Sequence, residues 1–135
     1  MVKTSIEAVL NESVETIWSI VTDLTNAEWR SDLSRIDVCN DQKSFIEYTK
    51  QGFATKFTIT TFEPLTLYAF TMDNANIFGN WKGEFYPLTD SKTKIIFTEI
   101  ITPKKRYLTP FVKGYLRKQQ KQYVDDLTRY LAAGQ

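Results

Sequence analysis

Between residues 34 and 102 the chain repeats one pattern six times: apolar and polar side chains alternate, then a polar break follows. Period two puts every second side chain on one face, as a half-buried β-strand does. The runs are 34–40, 44–50, 53–63, 67–74, 77–88 and 93–102. Breaks such as Asn40-Asp41-Gln42-Lys43 and Thr89-Asp90-Ser91-Lys92 suit hairpins, so the runs predict an antiparallel meander. Glu63-Pro64 ends the third. The period then changes. Residues 110–132 place Val112, Leu116, Tyr123, Leu127, Tyr130 and Leu131 on one helical face, with Lys118, Lys121, Asp125 and Arg129 opposite. Thr109 predicts the N-cap, Pro110 the first helical position and Gly134 the stop. Such a helix is about 35 Å long, matching a strand of about 11 residues, so it can lie across a curved sheet.

Residues 2–10 predict one more strand. Asn11 or Ser13 then caps a helix carrying Val14, Ile17, Trp18 and Val21, and Asp23–Asp32 predicts a break and a short second helical turn with Trp29. The order strand, two short helices, six strands, long helix is that of an α+β protein. At 135 residues the chain predicts one domain spanning 1–135, and its nineteen aromatic residues predict a bulky interior.

The chain has no histidine, which removes Ser-His-Asp and Cys-His catalysis and His-ligated zinc. Chemistry is left to carboxylates, Tyr, Lys, Arg and Ser/Thr. One cysteine, Cys39, excludes an intramolecular disulfide and fits a reducing compartment. With no phosphate loop, paired cysteines or calcium loop, no cofactor and no metal are expected. A net charge of +1 argues against nucleic acid as a partner. The start Met1-Val2-Lys3-Thr4 does not read as a signal peptide, and no apolar run approaches the ~18 residues of a membrane span. A cytoplasmic protein is expected, monomeric or homodimeric.

Several stretches, in this order, resemble the SRPBCC superfamily: Asn11-Glu-Ser-Val-Glu-Thr-Ile-Trp18, Asp23…Trp29, Gly79-Asn-Trp81, Thr93-Lys-Ile-Ile-Phe-Thr-Glu99 and the helix carrying Leu127. That superfamily includes START domains, birch-pollen-allergen-like proteins and polyketide cyclase-like proteins. The resemblance implies a helix-grip fold, a curved antiparallel seven-stranded sheet wrapped around the long C-terminal helix with two short helices after strand 1. It also implies an apolar cavity between sheet and helix, expected at several hundred Å³ if it holds a ligand.

Strand parity points Trp81, Gly83 and Phe85 inward, with Tyr68, Phe70 and Met72. Phe53, Thr55, Phe57, Ile59 and Thr61 form a third inward set, and Ile95, Phe97, Glu99 and Ile101 a fourth. The apolar members fit a solid core and a ligand wall equally. Glu99 is more informative, because a buried carboxyl must be hydrogen-bonded or hold a raised pKa. Glu47 is a weaker case of the same kind. On the helix, Gln119 projects between Leu116 and Tyr123, with Asp126 at the edge. Trp29 reads as a rim aromatic or a core plug, and Arg30 as a partner for an acidic ligand head or for Glu99.

Residues 104–121 carry seven cations (Lys104, Lys105, Arg106, Lys113, Arg117, Lys118, Lys121) and no acid. They form a solvated face or a weak contact for an anionic surface, without stable membrane insertion. Cys39 reads as a small buried side chain, and Gly114 inside the helix has no sequence explanation. The residues best fit the binding or carriage of a small hydrophobic or amphipathic molecule, lipid included. The alternatives are a polyketide cyclase/dehydratase-like enzyme using Glu99 with Tyr68 or Tyr123, and an interaction module of the chaperone-ATPase-activator type.

Overall fold

The computed structural model describes residues 1–41 and 43–134. Its elements in chain order are β1 (Val2–Leu10), α1 (Val14–Thr22), β2 (Leu33–Val38), β3 (Ser44–Thr49), β4 (Ala54–Glu63), β5 (Leu67–Asp73), β6 (Ile77–Thr89), β7 (Lys92–Pro103) and α2 (Thr109–Ala132). The seven strands form one antiparallel sheet in the order β1-β7-β6-β5-β4-β3-β2. β2 to β7 are thus the expected meander, each strand starting and ending within two residues of its predicted bounds. Gln42, in the first predicted hairpin break, lies outside the described residues.

β1 joins the far edge, pairing with β7 from Val2↔Ile101 to Leu10↔Thr93. The chain must therefore cross the sheet before β2, and α1 with the loop behind it makes that crossing. Ser13 caps α1, its Oγ accepting from the Thr16 amide, and Val14, Ile17, Trp18 and Val21 are buried. The second helical turn expected in 23–32 does not form. Asp23 Oδ1 accepts from the Thr25 amide and hydroxyl at 2.9 and 2.6 Å, and Asn26 Oδ1 from the Glu28 amide at 3.0 Å. These short side chains satisfy the backbone locally and turn it instead.

Thr109 does not cap α2. A 3₁₀ turn, Arg106–Leu108, runs straight into the helix, leaving Leu108 at the cap position in helical backbone without a side-chain bond. An N-cap needs extended backbone, which that turn denies Thr109. In β4 the register shifts between Ile59 and Thr61. The extra residue reverses parity, so Phe62 rather than Thr61 meets the Trp18 and Tyr68 rings, at 5.3 and 5.9 Å. Gly83 is required by close approach: a β-carbon there would collide with the Trp81 ring. A β-carbon at Gly114 would meet nothing, so packing does not explain that glycine.

α2 packs on β1 and β7, at one edge of the sheet. Under α1 the interior is filled by Ile17, Trp18, Phe85, Ile95 and Leu127. Among the described residues α2 has no comparable packing against β3–β5, and that end is where the site lies.

Candidate functional site

Between α2, the 23–32 loop and the concave face of β3–β7 lies a cavity of about 170 Å³. This is smaller than the several hundred Å³ expected, and aromatic rings from the sheet, the loop and α2 take up the space between those elements. Phe70 and Trp81 lie parallel at 4.8 Å, Phe45 and Phe57 at 4.9 Å, and Tyr123 meets both Trp29 and Phe97 edge-on.

Of the residues singled out in the sequence, Trp29, Arg30, Phe57, Tyr68, Phe70 and Met72 line this cavity, as do Trp81, Phe97, Glu99, Leu116, Gln119 and Tyr123. Ile59 and Phe85 lie away from it. Phe85 packs under α1, 5.0 Å edge-on to Trp18, and Ile59 sits partly buried beside the β4 bulge. Phe53, placed inward by parity, is at the rim and 40% exposed. Gln119 is exposed at the rim, donating to the Tyr115 hydroxyl at 2.8 Å. The buried amide is the neighbouring Gln120, whose Nε2 donates to the Thr4 carbonyl at 3.3 Å. The rotation of α2 against β1 decides between these adjacent glutamines.

Arg30 does not pair with Glu99. Its Nε and Nη2 donate to the Asp32 carboxylate at 3.0 and 2.9 Å, and Nη2 lies 3.5 Å from Glu47. Its guanidinium carbon is 4.7 Å from the Tyr123 ring centre and 5.7 Å from that of Trp29. Burial works against the guanidinium charge, but Glu47 and Asp32 outweigh it and push the Arg30 pKa up. Burial raises the Glu47 carboxyl, with Arg30 opposing.

The loop presenting Trp29 and Arg30 is held by Asp126 of α2. Its Oδ2 accepts from the Ser31 amide and hydroxyl, both at 2.9 Å, and its Oδ1 from Gln122 and Arg129. Sequence reasoning put Asp126 at the edge of the apolar face; the anchoring role needed the loop path.

Glu99 is 8% exposed and lies between Thr4 of β1 and Trp81 of β6 in the sheet register. It has no ion-pair partner among the described residues. Burial pushes its pKa up to about 7; Gln120 and Arg30 moderate the rise, and Glu47 adds to it. The Tyr68 hydroxyl, on the same cavity wall, is buried without a hydrogen-bond partner. Burial also pushes the Tyr68 and Tyr123 phenols up, so both stay neutral.

No family model matches the chain, and no curated protein does. Solved structures do. A START superfamily protein from Mycobacterium smegmatis superposes with a TM-score of 0.87 at 14% identity, covering 98% of this chain and 99% of that one. The fold is START-like. The Zhui aromatase/cyclase from Streptomyces sp. R1128 gives 0.84 at 6% identity over 96% and 92% of the two chains. A conserved protein from Geobacillus kaustophilus gives 0.81 at 13% identity over 98% and 96%. At such identities the likeness establishes the helix-grip architecture and leaves the chemistry to this chain's own residues.

One surface of this START-like chain escaped the sequence reading. Tyr107, Phe111 and Tyr115 are 68%, 72% and 59% exposed, and Tyr115 also lines the cavity. Their spacing of four was the available signal. They run along the basic segment, where Lys104 pairs with Asp73 and Lys121 with Asp125.

Proposed function

We propose that this protein binds a small hydrophobic or amphipathic molecule in the cavity between its sheet and α2. The observation carrying this reading is the Tyr68 hydroxyl, buried and unpartnered on the aromatic wall of a cavity that the buried Glu99 carboxyl also lines. A buried hydroxyl without a partner costs about 1–3 kcal/mol, a cost a ligand's polar atom removes. Size limits the ligand: a cavity of about 150 Å³ accommodates benzene. At about 170 Å³ this one suits a ring-sized molecule, or one end of a longer amphiphile leaving past Phe53 and Tyr115.

The test is an amide-resolved NMR titration with ring-sized neutral probes such as indole and benzyl alcohol. Saturable shifts at Tyr68, Trp81, Glu99 and Tyr123 are expected at one probe per chain. Shifts scattered over the surface, or none with the protein folded, would end the reading.

A second reading, a cyclase- or dehydratase-type enzyme, is favoured by the buried Glu99 carboxyl and the unpartnered Tyr68 hydroxyl lining one cavity; burial pushes the Glu99 pKa up to about 7, which suits a group that gives and takes protons at neutral pH. Glu99 would move the proton and Tyr68 would donate to a developing oxyanion. A rate lost in Glu99→Gln, with binding retained, would support it.

We also infer that the 104–121 face touches an anionic surface from a cytoplasmic location, which the single Cys39 supports. Arg106, Lys113, Arg117 and Lys118 have no ion-pair partner among the described residues and flank the exposed Tyr107 and Phe111. Among those residues no helix is long and apolar enough to cross a membrane. Co-sedimentation with anionic vesicles at low salt, lost when Lys113, Arg117 and Lys118 become Glu, is the expected result; sedimentation unchanged by that triple reversal would refute it.

A further inference from the structure

We propose that the cavity selects a cationic ligand, a ring-sized hydrophobic amine whose ammonium group sits on Glu99 against the aromatic wall, and discriminates against carboxylates. The proposal rests on the ligand-binding reading and adds the sign of the ligand's charge.

The charge inventory leads there. Arg30 is the only cation lining the cavity among the described residues, whereas Asp23, Asp32, Glu47 and Glu99 bring four carboxyls. Arg30 is already committed: Asp32 grips its edge at 2.9–3.0 Å, Glu47 stands at 3.5 Å, and the Tyr123 ring covers one of its faces at 4.7 Å. An incoming carboxylate would have to displace Asp32 or Glu47 and meet Glu99 as a like charge. An ammonium meets one like charge, Arg30, which Asp32 and Glu47 already offset. Glu99 offers it a carboxylate without an ion-pair partner, and the unpartnered Tyr68 oxygen, which lines the same cavity, is a further acceptor for its N–H groups.

The groups around Glu99 come from every neighbouring element. They are Thr4 of β1, Trp81 of β6, Gln120 and Tyr115 of α2, Arg30 of the loop and Glu47 of β3. Tyr115 stays neutral, and Arg30 is shared by two other acids. A bound ammonium would draw Glu99 into its ionised form, so the amine should bind more tightly as pH rises through about 7.

The experiment titrates the whole chain by calorimetry with benzylammonium, benzyl alcohol and benzoate between pH 5.5 and 8.5, where the amine remains charged. The amine is expected to bind about tenfold more tightly than the alcohol at pH 8.5, and that ratio should shrink toward one at pH 5.5. Benzoate should bind weakest. In Glu99→Gln, shown to be folded by its thermal transition, the ratio should stay near one at every pH. Alcohol binding with an amine ratio near one at all pH values in the native chain, or benzoate equal to the amine, would overturn the charge preference and leave the binding reading standing. Binding by none of the three would overturn both.

Discussion

The space beneath α2 has two ends made from similar side chains. At the α1 end Ile17, Ile95 and Leu127 are fully buried, Trp18 and Phe85 lock edge-on, and the one buried hydroxyl, Thr93, donates to the Glu12 carbonyl at 2.9 Å. At the β3–β5 end the rings stack with each other rather than against a second layer, and the cavity remains. That end holds Arg30, Glu47, Glu99 and the unpartnered Tyr68 hydroxyl. The difference is α1: one amphipathic helix supplies the plug at one end, and only a turn-rich loop covers the other. Among the described residues the buried hydroxyls without a partner are those of Tyr68, on the cavity wall, and Thr4, opposite Glu99 in the sheet register.

If that contrast is right, Leu127→Ala should be the most damaging substitution, losing about 2–5 kcal/mol in urea unfolding, because the closed end cannot collapse onto the hole. A loss under about 1 kcal/mol would mean that this end is not tightly packed.

Glu99→Gln should act in the opposite direction and depend on pH. The folded protein holds the Glu99 proton up to about pH 7, whereas an exposed glutamate loses it near 4.5. Ionisation therefore penalises the folded state progressively between these values. Native chain and variant should match near pH 4.5, and by pH 8 the variant should be more stable by roughly 3 kcal/mol. A difference that does not change with pH would break the comparison.

Gly83→Ala probes the boundary between the ends. Its β-carbon strikes the Trp81 ring, so about 1–3 kcal/mol should be lost, with a changed Trp81 signal in NMR. Retained stability with an unmoved indole would show that the ring is not held there. The smallest effect belongs to Tyr68→Phe, which removes a hydroxyl that bonds nothing. Stability should rise by up to about 1 kcal/mol while ring-sized probes bind more weakly. A substantial loss of stability would reveal a partner for that hydroxyl.

Much of the site was legible because strand parity is rigid. Once β5, β6 and β7 were placed, Tyr68, Trp81 and Glu99 had to share a face. Where parity was interrupted, reading failed: the β4 bulge exchanged Thr61 for Phe62, and nothing in the local pattern announces an extra residue. Helical positions were read less sharply. Gln119 and Gln120 differ by about 100° of rotation, and the packing of α2 on β1 chose between them. Arg30 was legible as a site residue but not its partners, since Asp32 lies two residues away and Glu47 arrives from another strand.

The alternating pattern and the terminal amphipathic run determined by themselves the antiparallel meander, the helix laid across it and the burial of Glu99, because side-chain direction follows from backbone period alone. How far sheet and helix close on one another was decided only in three dimensions. It depends on the reach of α1, on where α2 rests against β1 and β7, and on how the loop brings Trp29 and Arg30 over rings that stack on neighbouring strands. Those set the cavity's size and the charges left facing it.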